Sequence, residues 1–243
     1  MNRLPALALV LVLAVPLAAA PGAAKYWPFE LHRMVAAADL VVVGRIAEVD
    51  AKTFRLDVED LLAGETGQWP GERLEVVRFQ DWPCAQRWTP YATGQRVLLF
   101  LQRHEDEQGH RSWRILSGGG EGEMPVYDVP RPEEPGSEPA RLVVLRGSEL
   151  PSGGSERVEL DDGSHVSGWV LPLGSVAADL RAWRASFRTA KWPLFRTEGP
   201  PRIETDQTRA ELDALKSSDR LLLAWLARQL APHVVHGEEA TDD

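Results

Sequence analysis

Between residues 79 and 93 the chain sets Phe79, Trp82, Cys84, Trp88 and Tyr91 among Asp81, Arg87, Pro83 and Pro90. No helical or strand period claims Trp82 or Trp88. Aromatic and arginine side chains on a loop are the usual anchors of binding surfaces, because they combine large contact area with a polar or charged handle. Trp82, Cys84, Arg87, Trp88 and Tyr91 are therefore the candidate binding residues. The same set also suits a lid folded over one end of a β domain, since tryptophan is mostly buried on average. Cys84 is the only cysteine, which excludes an internal disulfide. It reads as a half-buried small hydrophobe, or as a thiol for an intermolecular disulfide, with Arg87 the one nearby group able to favour a thiolate.

Other chemistry-bearing groups carry less. His104 and His110 flank Glu105, Asp106 and Glu107, a mixture of imidazole and oxygen ligands, but an acidic hairpin tip is ordinarily solvated and metal sites need a fixed scaffold. His233 and His236 with Glu238 and Glu239 pose the same case on a terminal tail. Gly118-Gly119-Gly120 has no following lysine or helix start and reads as a bend, not a phosphate cradle. Gly-x-Ser-x-Gly, His-Glu-x-x-His, the P-loop pattern and Cys-x-x-Cys are all missing from the sequence. Pairs such as Asp81 with Arg87, or Asp39 with His32, are not ranked by spacing alone. The expectation is no catalytic residue, no metal and no cofactor.

Residues 1–24 read as a cleavable secretory signal peptide. Arg3 precedes an apolar run from Leu4 to Ala20, broken by Pro5 and Pro16, and Gly22-Ala23-Ala24 supplies small residues before Lys25. A retained anchor would need about 20 uninterrupted apolar residues. The chain is thus expected to be secreted or periplasmic, with no membrane span after cleavage. Its 27 basic against 36 acidic residues give a net charge of −9. That balance argues against nucleic acid or anionic lipid as the partner and leaves a protein or a small molecule.

The elements that must position the loop read as short strands. Leu40–Val43 is an apolar run ended by Gly44; Phe54, Leu56 and Val58 alternate with charged residues; Leu74 and Val76 begin a third strand, with Val77 and Phe79 shifted as a bulge would shift them. Val97–Leu101 is apolar on both faces and is the strand expected to be most buried, with Trp113 and Ile115 pairing back across the 104–110 hairpin loop. Leu31, Val35 and Ala38 have helical spacing and are placed to plug one end. Pro130, Pro132, Pro135 and Pro139 mark an exposed loop. Strands follow at Leu142–Leu145, Val158–Leu160 and Val166–Leu171, the last pair joined at Asp162-Gly163. The remainder is helical: Val176, Leu180, Trp183 and Phe187 on one face after a Ser175 cap; Thr208 and Glu211 as a capping box; and Leu222, Trp225, Leu226 and Leu230 after a Ser218 cap.

The strand order resembles the netrin-like OB-fold barrels related to tissue inhibitors of metalloproteinases, in a cysteine-poor bacterial secreted form. The resemblance covers residues 30–128. Ala38–Arg45, Phe54–Gly64, Gly71–Val76 and Gly94–Leu101 stand as the first four strands, and Gly118–Met124 as the segment closing the barrel. The family's protease inhibitors reach zinc with an amino-terminal cysteine; this chain offers Lys25-Tyr26-Trp27 there, so that mechanism does not transfer. The expected architecture is mainly β: a small OB-like barrel with an extra hairpin and a C-terminal helical region. The divisions are a signal peptide at 1–24, barrel at 25–129, Pro/Glu-rich loop at 130–140, hairpin extension at 141–173, helical region at 174–232 and flexible tail at 233–243. The leading functional expectation is a non-catalytic binding module centred on the 79–93 loop; the alternative is a hydrolase or other enzyme without a local motif.

Overall fold

A strand with apolar side chains on both faces must find an apolar neighbour on each. In the computed structural model, which describes residues 30–64, 73–81, 86–106, 108–116, 121–129, 139–146, 155–160, 163–187, 203–205 and 207–236, the strand β4 (Arg96–Glu105) does so. Val97, Leu99 and Leu101 face one core, and Leu98 and Phe100 face a second. Strand β1 (Leu40–Val49) divides the same way, with Leu40, Val42 and Ile46 on the first side and Val41 and Val43 on the other. These two antiparallel neighbours are one wall shared by two cores.

The first core is the inside of a closed barrel. β1 pairs with β2 (Thr53–Gly64), β2 with β3 (Arg73–Val77), and β3 runs parallel to β5 (Arg111–Ile115). β5 pairs with the second half of β4, whose first half returns to β1. The order β1-β2-β3-β5-β4-β1 is a five-stranded closed barrel of OB-like form. Register shifts along β1 and β2 coil the sheet enough to close it. Gly44 sits at one shift, where an added Cβ would lie 2.5 Å from the Asp57 carbonyl oxygen, so only glycine lets the strands approach.

β6 (Glu123–Val129) corrects the expectation that the Gly118–Met124 segment closes the barrel. It follows β5 along the outer edge of β4 and carries the sheet outward through β7 (Ala140–Leu145), β9 (His165–Pro172) and the edge strand β8 (Ser155–Glu159). Closure comes from β4 on β1. β3 ends at Val77, so Phe79 lies beyond the strand and not on a bulge within it.

The second core lies between this sheet and four helices: α1 (Leu31–Ala37), α2 (Leu173–Ser186), α3 (Arg209–Lys216) and α4 (Leu221–Leu230). Trp183 stacks on Phe187 at 3.9 Å between ring centroids, and Trp225 meets Trp169 edge-on at 6.4 Å. α1 belongs to this layer, with Leu31, Met34 and Val35 in the helical core, so it does not plug the barrel. The Thr208–Glu211 capping box forms as expected. The other two caps differ. α2 begins straight from β9 at Leu173, ahead of Ser175. Ser218 holds the turn before α4 by accepting from the Arg220 N–H at 3.1 Å, while α4 is capped across space by Asp179 of α2, which accepts from the Leu223 N–H at 3.1 Å. β10 (Ile203–Thr205) pairs in parallel with β11 (Val234–His236), whose backbone bonds place a strand where the sequence reads as the start of a flexible tail. Residues 1–24, most of the Pro-rich loop and residues 237–243 lie outside the described residues. Among the described residues no helix is long and apolar enough to cross a membrane.

Candidate functional site

The loop before β4 is fastened to the start of β6 by a buried ion pair. Glu123 is the first residue of β6 and pairs with Leu99, which puts its carboxylate on the barrel side of the strand. Arg87 reaches it with two donors, Nη2 to Oε1 at 2.7 Å and Nε to Oε2 at 3.1 Å, and the two side chains are 1% and 0% exposed. Its other donors go to the Thr89 carbonyl at 2.6 Å and to Gln95 Oε1 at 2.9 Å. The Tyr91 hydroxyl donates to Glu123 Oε2 at 3.0 Å and accepts from the Phe79 N–H at 3.2 Å. Burial, and then the Glu123 charge, push the Tyr91 phenol far above its usual range, so it stays a donor.

Aromatic rings surround this pair. The Arg87 guanidinium carbon lies 4.0 Å from the Tyr91 ring centre and 4.2 Å from that of Trp88. Tyr91 stacks on Phe54 of the barrel interior at 5.2 Å, so it covers the barrel end. Arg146, just past β7, approaches Trp88 at 5.9 Å, and its buried Nη1 has no hydrogen-bond partner among the described residues. Burial lowers the pKa of Arg146 against the opposing pull of Glu121 and Glu123. Burial likewise raises the Glu121 carboxyl, with Arg146 acting against it.

Of the candidate binding residues, Arg87, Trp88 and Tyr91 come together here, with Arg87 buried and both rings half-buried. Trp82 and Cys84 lie outside the described residues. Asp81 and Arg87 are joined through the backbone, the Arg87 N–H donating to Asp81 Oδ1 at 2.8 Å, which closes the loop neck. Asp39 accepts from the Arg103 N–H at 2.9 Å, and His32 lies 3.3 Å from Glu30. In the 104–110 hairpin, Asp106 Oδ1 accepts from the N–H groups of Gln108 and His110, a turn-forming role. Among the described residues no group of three or more His, Cys, Asp or Glu side chains is arranged to hold a metal.

Sequence reasoning missed Glu123 and Gln95. The signal for Glu123 is a carboxylate sharing the inward alternation of Pro125 and Tyr127 on β6, visible only once that segment is known to be a strand.

Beside the fastened loop, residues 88–96 and β6 enclose a cleft of about 300 Å³. Trp88, Pro125 and Tyr127 supply its apolar surface, and Arg45, Arg96 and Asp128 its charges. Arg45 and Arg96 stand directly opposite on β1 and β4, a like-charge pair that would repel. Glu59 of β2 joins them, at 3.5 Å from Arg45 Nε and 2.8 Å from Arg96 Nε. Asp128 holds Arg96 Nη1 with both oxygens, at 2.7 and 2.9 Å. Burial works to lower the Arg96 pKa, but the Asp128 and Glu59 hydrogen bonds outweigh it and leave the guanidinium above its ordinary range. A second cleft, about 430 Å³, lies where α2 meets the start of α4, but its Arg220 is paired with the capping Asp179 at 2.7 Å.

Fold and site together define an OB-like barrel widened by an outer sheet and backed by a helical layer, with a small cleft where the barrel and the outer sheet meet. The chain matches no protein-family model and no curated protein sequence.

Proposed function

We propose that the chain is an extracytoplasmic, non-catalytic binding module of netrin-like OB type, and that the cleft between residues 88–96 and β6 is its ligand site. The observation that carries this reading is the combination of a solvent-open cleft walled by Trp88 and Tyr127 with the buried Arg87–Glu123 fastening directly behind it. A binding surface of half-buried aromatics on a fixed scaffold loses little conformational freedom when it takes a ligand. The charged groups of the cleft hold one another in place, which suits recognition. Secretion rests on the signal-peptide pattern of residues 1–24, and the netrin-like assignment on the order of strands in residues 30–128.

Ligand-observed NMR with a cocktail of small fragments tests the site. A subset should bind the full chain and be lost from Trp88→Ala while the circular dichroism spectrum is unchanged. Fragment binding indifferent to Trp88→Ala, or no binding at all, would remove the cleft as the site.

A further inference from the structure

We infer that the ligand class of this cleft is a neutral saccharide, an inference that rests on the cleft being the binding site. The charged groups at and just around it are matched in number: Arg45, Arg96 and Arg141 against Glu59, Asp128 and the Glu156 whose charge reaches Tyr127. A ligand of either sign would meet an almost compensated field and would gain little from it.

Hydrogen-bonding capacity survives where net charge does not. The Arg96 side chain is 8% exposed and held at Nε and Nη1, which leaves Nη2 without a hydrogen-bond partner among the described residues. Arg45 is held at Nε by Glu59 and at Nη1 by the Gly94 carbonyl at 2.9 Å, leaving its Nη2 in the same state. Asp128 remains 39% exposed, so its oxygens still accept. Fixed donors therefore sit beside a fixed acceptor. The hydroxyl is the group that both donates and accepts, and a ligand bearing several on one rigid ring satisfies such a row. The Trp88 and Tyr127 rings with Pro125 then offer apolar surface to the C–H face of a pyranose. Burial, with Glu156 nearby, raises the Tyr127 phenol, so it too remains a donor. A volume of about 300 Å³ is at the small end of ligand pockets, which fits a chain end or one to two sugar units.

The test is an array of neutral and acidic oligosaccharides probed with the full chain, followed by calorimetry on any sugar that binds. A neutral sugar should bind, with affinity changing by less than about twofold between roughly 0.05 and 0.5 M salt, because no net charge is being neutralised. Tyr127→Ala and Asp128→Ala should each weaken it about tenfold or more. Binding of acidic sugars alone, or a steep salt dependence, overturns the ligand class. So does an array without hits when fragments still bind through Trp88; in that case the cleft stands and the saccharide falls. Loss of both the array hits and the Trp88-dependent fragments overturns the cleft as well.

Discussion

Replacing Glu123 with alanine should be among the most damaging single changes in the barrel. The variant leaves the Arg87 guanidinium, 1% exposed, with its charge uncompensated and two of its hydrogen bonds gone, and it removes the acceptor of the Tyr91 hydroxyl. Breaking a buried pair from one side costs about 3–5 kcal/mol, because the remaining charge stays out of water. The Thr89 carbonyl and Gln95 still receive Arg87, so some of the loss is cushioned. Against a total stability of about 5–15 kcal/mol, the variant should fold but melt at much lower urea. Arg87→Met should cost a similar amount. The double variant Arg87→Met/Glu123→Leu should be less destabilised than the sum of the single changes by about 2 kcal/mol or more, since neither charge is then stranded. Urea melts of the four proteins give the cycle directly. A loss below about 1 kcal/mol for Glu123→Ala, with no coupling, would refute the idea that this pair fastens the loop.

Trp183→Ala should destabilise by about 3–5 kcal/mol, with helical and tertiary signals lost in one transition, because the helices share β1 and β4 with the barrel; early loss of the helices with an intact barrel would contradict the shared wall. Asp179→Ala removes both the α4 cap and the Arg220 partner and should cost about 2 kcal/mol, read by thermal melts. Glu121→Gln tests a pH effect. Burial raises the folded carboxyl, so the folded state holds its proton longer than the unfolded chain, and wild-type stability falls as pH rises from about 4.3 through the folded value. The Gln variant escapes that loss: it should be the more stable protein at pH 7, the gain vanishing below about pH 4. Denaturant melts across that range give the sign, and a gain that grows on acidification would contradict it.

The barrel was legible because its strands alternate or run apolar on both faces, and Val97–Leu101 is buried on both sides as its composition demands. What local pattern misses is the partner across space. By its glycines and position the Gly118–Met124 segment suits barrel closure, yet Glu123 and Met124 begin a strand that leaves the barrel, and only long-range pairing decides between the two. Ser218 has the side chain of a cap, but Asp179, distant in sequence, takes the Leu223 N–H. The site was half legible. Arg87, Trp88 and Tyr91 are marked by residue type and loop position, whereas Glu123 follows a glycine run that has the local pattern of a bend. The Arg45–Glu59–Arg96–Asp128 row joins four strands, and no spacing along the chain reveals it.

A crystallographic fragment screen on the full chain tests the central claim most directly. Fragments should collect in the cleft between residues 88–96 and β6, in contact with Trp88 or Tyr127 and with an Nη2 of Arg45 or Arg96. An empty cleft, with fragments gathered instead at the junction of α2 and α4 or elsewhere, would contradict the account.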